Sequence, residues 1–331
     1  MRFSVIIPLF NKALYIRRAL GSVLAQTVQD FEVVVVDDGS IDGSADLVRE
    51  YTDPRIRLIG QANAGASAAR NRGIAESKAD LIAFLDADDQ WNRDFLEQIS
   101  FLTAKYPAAG LFATSYRMFN GVDTQYPQIR NLAISEGGHG ILDNYLKAML
   151  GPAPFYTSST VVRKEIVQRM GGFPIGVALG EDLDTWLRIY FDSPMAFMYS
   201  HPVVYFAGLP ASVTSARIPD GDFAPIATAQ KFIDSGHCDA KVVEDLQEYI
   251  AHNQVEIAKS LIFHNKHDRA RQQLRRIRKT RRYVCEKIFW AFWAAMPHVA
   301  IQTALRFKAF FRYIRQSIDS RIDEGQIKQS L

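Results

Sequence analysis

Short apolar runs alternate with segments of helical periodicity over the first ninety residues. Residues 3–9 (FSVIIPL), 31–36 (FEVVVV), 56–59 and 81–85 (LIAFL) are too short for helices and rich in β-branched or aromatic side chains, so they predict buried strands. Helical spacing is predicted between them: up to about Gln26, over residues 45–51, and in a small-residue segment that opens at Asn63-Ala64-Gly65-Ala66-Ser67 and carries Arg70 and Asn71. Strand, helix, strand, helix, strand predicts an α/β fold, a Rossmann-like and mainly parallel sheet flanked by helices with right-handed crossovers. Farther on, residues 111–119 predict a strand, Gly137-Gly138-His139-Gly140 a flexible loop, and residues 171–174 a turn. From about Asp220 the strand signal stops. Residues 241–264 place Val242, Leu246, Ile250, Ile257 and Leu261 at helical spacing, and Asp268 is expected to cap a following helix. The pattern divides the chain into an α/β body, residues 1–217, and an all-helical region, residues 218–331.

Two of the predicted strands end in acids. The run at Leu81 stops at Asp86-Ala87-Asp88-Asp89, and the run at Phe31 stops at Asp37-Asp38-Gly39-Ser40. Ligands of open α/β sheets bind at the carboxyl ends of strands. Carboxylates crowded there repel one another unless a cation sits between them, so Asp86 and Asp88 read as a Mg²⁺ or Mn²⁺ site completed by substrate phosphates and water. The alternative is a solvated acidic turn ahead of a helix that starts near Asn92. Asp37 suits a nucleobase or ribose, and no G-x-G-x-x-G precedes it, so NAD is not expected. Gly39 and Ser40 also fit a tight turn with a helix cap.

Five segments in order resemble the family 2 glycosyltransferases. They are Ser4-Val5-Ile6-Ile7-Pro8-Leu9-Phe10-Asn11, Val36-Asp37-Asp38-Gly39-Ser40, Asn63-Ala64-Gly65 through Ala69-Arg70-Asn71, Phe84-Leu85-Asp86-Ala87-Asp88-Asp89, and Gly180-Glu181-Asp182-Leu183-Asp184-Thr185-Trp186-Leu187-Arg188. The resemblance covers about residues 1–215. It implies the GT-A fold, a nucleotide-sugar donor (a UDP-sugar first), and inverting transfer to a saccharide or lipid-linked acceptor in surface polysaccharide biosynthesis. It also implies that Pro8, Phe10, Asn11, Asp37, Asn63, Arg70, Asp86 and Ala87 bind the nucleotide, with Phe10 standing where relatives more often have Tyr. Asp88, with Asp86, is the implied metal ligand and Asp182 the implied base. Ser158 and Ser159 fall on the acceptor side, where they could line the cleft or serve structure. Many relatives carry an Arg and a His shortly after the base. Residues 205–212 here (YFAGLPAS) have neither, which leaves a third metal ligand unassigned, with His201 a weak candidate.

Hydrophobic residues make up 48% of the chain and charged residues 23%, enough for a real core. Cys238 and Cys285 have no metal-ligand spacing and suit a reducing compartment. The N-terminus runs straight into a predicted strand, so no leader is expected. Net charge is divided: residues 1–263 hold 23 Lys+Arg against 31 Asp+Glu, whereas residues 264–331 hold 16 against 5, a net +11. An Arg/Lys cluster over residues 269–282 is followed by Phe289, Trp290, Phe292 and Trp293, in an apolar stretch shorter than the roughly 20 residues that cross a bilayer. On a helix, Phe307, Phe311 and Ile314 would share one face and Lys308, Arg312 and Arg315 the next. These features predict a cytoplasmic protein held peripherally on the inner face of a membrane. In the alternative, the same helices pack on the body or on a second copy, making an oligomer. A sugar nucleotidyltransferase would need a Gly-rich basic loop near the N-terminus, which Pro8-Leu9-Phe10-Asn11 lacks. An RNA- or DNA-binding role for the Arg-rich tail leaves the acids at two strand ends unexplained, and no nucleic acid is expected.

Overall fold

The structure is a computed structural model, and it describes residues 2–209 and 223–296. The chain divides into two compact units, Met1–Tyr249 and Ile250–Leu331. The division expected after residue 217, and the helical face expected at Phe307, Phe311 and Ile314, lie outside the described residues.

The first unit opens with β1 (Phe3–Leu9), α1 (Ile16–Leu24), β2 (Phe31–Asp37), α2 (Ser44–Arg49), β3 (Ile56–Gly60), α3 (Ala66–Glu76) and β4 (Leu81–Phe84). It continues with β5 (Gln90–Trp91), α4 (Phe95–Lys105), β6 (Leu111–Thr114), β7 (Arg117–Phe119), β8 (Thr124–Gln125), β9 (His139–Ile141) and α5 (Tyr145–Ala148). β10 (Thr160–Arg163), α6 (Lys164–Arg169), α7 (Glu181–Asp192), β11 (Met195–Met198), β12 (Val203–Phe206) and α8 (Ala224–Asp234) follow.

An eight-stranded sheet has the order β3-β2-β1-β4-β10-β6-β11-β9. β1, β2, β3 and β4 are mutually parallel, as the pattern of apolar runs predicts, while β10 enters antiparallel between β4 and β6. Alternation along the strands feeds both faces. Phe3, Val5, Ile7 and Leu9 of β1 pack with Ile16, Leu20 and Val23 of α1, and Val34 and Val36 of β2 pack against Ala69 of α3. Pro8 is tolerated in this central strand because the β1–β4 ladder ends at Ile6↔Phe84, so no partner there needs its missing N–H. The parallel directions bring the carboxyl ends of β1, β2 and β4 to one rim. The N-terminal end of antiparallel β10 arrives beside them.

A second sheet, β5-β12-β7-β8, was not expected from the sequence. The strand predicted over residues 111–119 splits between the two sheets: Ser115 donates its N–H to Met198 O and Tyr116 turns the chain out before β7 begins. The loop expected at residues 137–140 includes the start of β9, held by pairing with β11 and by Tyr106 Oη to His139 Nδ1 at 2.8 Å.

α9 (Ala240–Phe263) carries the chain into the second unit, which continues with α10 (His267–Arg276) and α11 (Val284–Ala295). Asp268 lies inside the first turn of α10, and Lys266 takes the cap position instead. Within this unit Ala270, Leu274, Ile277 and Ala294 are buried, and Tyr283 Oη meets His252 Nδ1 at 3.0 Å.

Candidate active site

The loops leaving β1 and β2 are clasped together at the rim. Asn11 sits at φ 51°, a left-handed conformation that Asn tolerates better than most residues. Its N–H donates to Ser40 Oγ at 3.1 Å and its Oδ1 accepts from Ile41 N at 2.9 Å. Asp37 accepts from Ser40 N at 3.1 Å and keeps its carboxylate partly exposed. Its neighbour Asp38 is buried and accepts from Gln61 Nε2, Ala64 N and Gly65 N at 2.7–2.9 Å. Asp38 is therefore the post that holds the loop before α3, while Asp37 faces the rim. Asn63 is exposed on that loop and donates to Asp38 O at 3.0 Å. Phe10 leaves 46% of its surface exposed, an apolar ring presented where a base could stack.

The acids after β4 separate in the same way. Asp86 accepts from Arg70 Nη2 at 2.8 Å, and Asp88 accepts from Lys12 Nζ at 2.6 Å. Both carboxylates are partly exposed. Ala87 points into the core, and Asp89 is buried, accepting from Ser158 Oγ at 2.6 Å and Tyr156 Oη at 2.8 Å. Burial, and then the nearby charges of Asp86 and Asp88, push the Asp89 carboxyl well above its ordinary range. Ser158 also takes the Asp86 N–H at 3.0 Å, and Ser158 and Ser159 are both fully buried, so these hydroxyls build the rim from behind and do not line a cleft.

α7 delivers the second acidic motif. Gly180, at φ 79°, caps it in a left-handed conformation with the Phe223 ring close behind, 2.4 Å from where a Cβ would stand. Glu181 accepts from Arg70 Nη1 at 2.9 Å across 111 residues of sequence. Arg70 therefore bridges Asp86 and Glu181. It is almost fully buried, its guanidinium also lies 5.3 Å from the Phe173 ring centre, and its two acids hold its pKa above the ordinary arginine value despite burial. Asp182, beside Glu181, accepts from Thr157 Oγ1 at 3.1 Å. Burial and the adjacent Glu181 push the Asp182 carboxyl up to about 6, against the opposing pull of Arg70, the Leu183 N–H and the Thr157 hydroxyl.

The structure thus gathers Asp86, Arg70, Glu181 and Asp182 in one charged cluster, with Asp88, Asp37 and Phe10 along the same rim. Sequence reasoning missed Lys12 and Arg18. Arg18 donates to the Asp88 carbonyl and stacks 3.4 Å from the Phe206 ring centre. A cation at Asn11-Lys12, just past the first strand, was the available signal. His201 is engaged elsewhere, with Nδ1 3.8 Å from Glu136 Oε1 and its ring against Tyr126 and Tyr199. Among the described residues no three His, Cys, Asp or Glu side chains gather to hold a metal ion. Asp86 and Asp88 nevertheless fit a hard divalent cation: both offer carboxylate oxygens at the rim, and both already hold a positive partner there.

Residues 4–170 match the family model Glycosyl transferase family 2, which ends before α7. An uncharacterized glycosyltransferase of Nostoc sp. is 47% identical over 102 residues, 30% of this chain and 32% of that protein. Glycosyltransferase GlyA of Streptococcus pneumoniae is 37% identical over 121 residues, 36% of this chain and 17% of that protein. The matches thus span a third or less of those relatives' length. Among solved structures, S. aureus TarS 1-349 in complex with UDP-GlcNAc aligns with a TM-score of 0.69 at 19% identity, covering 83% of this chain and 79% of that one. Mannosyltransferase PcManGT from Pyrobaculum calidifontis, in complex with GDP-Man and Mn²⁺, aligns with a TM-score of 0.57 at 20% identity, covering 95% of this chain and 82% of that one. At these identities the likeness is one of fold, the GT-A arrangement of a mostly parallel sheet between helices. With the family model matched over just over half its length, the chain belongs to glycosyl transferase family 2.

Proposed function

We propose that this protein transfers a glycosyl group, with inversion, from a nucleoside-diphosphate sugar to a saccharide or lipid-linked acceptor, in the building of a surface polysaccharide or glycolipid at the inner face of a membrane. The observation that carries this reading is Arg70, which ties the acids after β4 to the acids at the start of α7. A donor seated on the rim then has Asp182 close to its reacting end. Phe10 offers the base a stacking face and Asp37 accepts from the base or ribose. A UDP-sugar is the first donor to test, since the TarS structure holds UDP-GlcNAc.

Asp182, ionised, takes the proton from the acceptor hydroxyl as its oxygen attacks the anomeric carbon and the nucleoside diphosphate departs. Thr157 and the α7 backbone hold that carboxylate in place. Asp86 and Asp88 would hold Mg²⁺ or Mn²⁺, which when bound neutralises charge on the departing diphosphate. Lys12, which donates to Asp88, would stand beside the anionic donor and counter its charge, and Arg70 keeps Asp86 and Glu181 from repelling each other.

The test is hydrolysis of a panel of nucleotide sugars with and without added Mn²⁺. Turnover should require the cation and should vanish in Asp88→Ala with the circular dichroism spectrum unchanged. Full activity in excess EDTA would remove the metal from this reading, and a product of retained configuration would remove the single displacement.

A further inference from the structure

α11 has two unlike sides. On one, Ala294 is buried, its carbonyl accepts from Arg271 Nη1 at 2.6 Å, and Lys287, Trp290 and Trp293 are half-buried. On the other, Val284, Ile288, Phe289 and Phe292 are 45%, 65%, 53% and 56% exposed. At about 100° per residue these four, with Cys285, Ala291 and Ala295, cover an arc of roughly 160° that contains no charged side chain. Lys287 stands beyond one border, and Trp293 followed by Glu286 beyond the other. Isolated exposed apolar residues are ordinary on a protein surface, but a contiguous arc of large ones marks an interaction face. The residues that lead directly into this helix, Arg278, Lys279, Arg281 and Arg282, are exposed and basic.

We infer that α11 lies in the headgroup region of an anionic membrane, with Val284, Ile288, Phe289 and Phe292 turned into the lipid and the basic run before it on the headgroups. This rests on the peripheral-membrane part of the proposed function and names the helix that performs it. Charge selects lipid over a second copy of the chain. Residues 264–331 carry 16 Lys+Arg against 5 Asp+Glu, so two copies meeting through this face would bring like charges together, whereas anionic lipid neutralises them. Length selects lying on the membrane over crossing it: α11 has 12 residues, and no described helix is long and apolar enough to span a bilayer. Aromatic side chains favour the boundary where such a helix rests.

The full chain should co-sediment with vesicles of equimolar phosphatidylglycerol and phosphatidylcholine, and far less with phosphatidylcholine alone. Phe289→Ser with Phe292→Ser should weaken that binding at least about tenfold, through lost apolar burial. Arg278→Glu with Lys279→Glu should weaken it about as much, through lost headgroup attraction. Both pairs are on the surface, so circular dichroism and donor hydrolysis without vesicles should stay as in the parent. Unchanged vesicle binding in the phenylalanine pair overturns the inference. So does a parent that ignores vesicles, or a dimer that the phenylalanine pair converts to monomer while vesicle binding persists. A parent that binds vesicles yet hydrolyses no donor sinks the catalytic reading and leaves the membrane helix standing.

Discussion

Asp182 and Asp184 lie two positions apart in the first turn of α7 and have opposite fates. Asp184 is buried and saturated, accepting from Arg188 Nε at 2.9 Å and from the Thr228 hydroxyl, so it fastens α8 to α7. Asp182 keeps an exposed fraction and has its carboxyl raised to about 6, which puts its ionisation near working pH. Because the ionised form accepts the proton, turnover should rise with pH through about 6 and level off above it. Stability has the opposite sign. A carboxyl raised by folding contributes stability below its ordinary value, and that contribution is lost as pH rises through the folded value near 6. Asp182→Asn should therefore be at least as heat-stable as the parent at pH 7.5, while its turnover falls by about 10²–10⁴-fold. A thermal scan and a rate measurement on the same sample check both halves, and a variant that loses stability and keeps its rate would assign Asp182 to structure. Strand-end acids singled out Asp37, Asp86 and Asp88 as candidates, and the resemblance to the family singled out Asp182. Neither could reveal which acid of each pair is sealed by hydrogen bonds, or that Lys12 would reach Asp88 across 76 residues, because those are tertiary facts.

At the scale of elements, the segments with strong local period were readable and the weakly periodic ones were not. β1, β2, β4 and the helix opening at Ala66 follow from apolar runs and turn chemistry. β5 and β8 have two residues each and β7 three, too few to show alternation, and their pairing is dictated by neighbours distant in sequence. The packing of α3 on β1 was likewise unreadable, though a glycine records it. A Cβ at Gly73 would stand 2.4 Å from Ile6 Cγ2 and 3.1 Å from Ile6 Cγ1, and Ile6 is fully buried between strand and helix. Gly73→Ala gains helix propensity and loses more to overpacking, about 1–3 kcal/mol, so the melting temperature should fall by several degrees. The transfer rate of the molecules that remain folded should hardly move, since the atoms the added methyl would press on belong to Ile6 in the core. An unchanged melting temperature would mean that Ile6 yields without cost and that this contact does not set the helix position.

For the whole molecule, the decisive feature is the sign of charge, legible from composition alone: residues 1–263 are net acidic and residues 264–331 net basic. The two ends of the proposed chemistry therefore respond differently to salt. Headgroup attraction acts between exposed charges and water-filled surfaces, and raising salt from about 0.1 M to about 1 M shortens the screening length from about 10 Å to about 3 Å. The ion pairs at the rim are direct contacts in shielded positions: Arg70 is 5% exposed in both of its pairs, and Lys12 is 14% exposed against Asp88. Such pairs feel bulk ions much less. Salt should thus release the protein from anionic vesicles while leaving its fold in place, as read by near-ultraviolet circular dichroism across the same series. Apolar contacts strengthen under those conditions, so a membrane association built mainly on the α11 arc would persist at high salt. Release in step with ionic strength assigns the larger share of binding to the basic residues, and retention assigns it to Val284, Ile288, Phe289 and Phe292. Loss of near-ultraviolet signal in the same range would show instead that surface charge maintains the fold itself, and the vesicle result would then report unfolding.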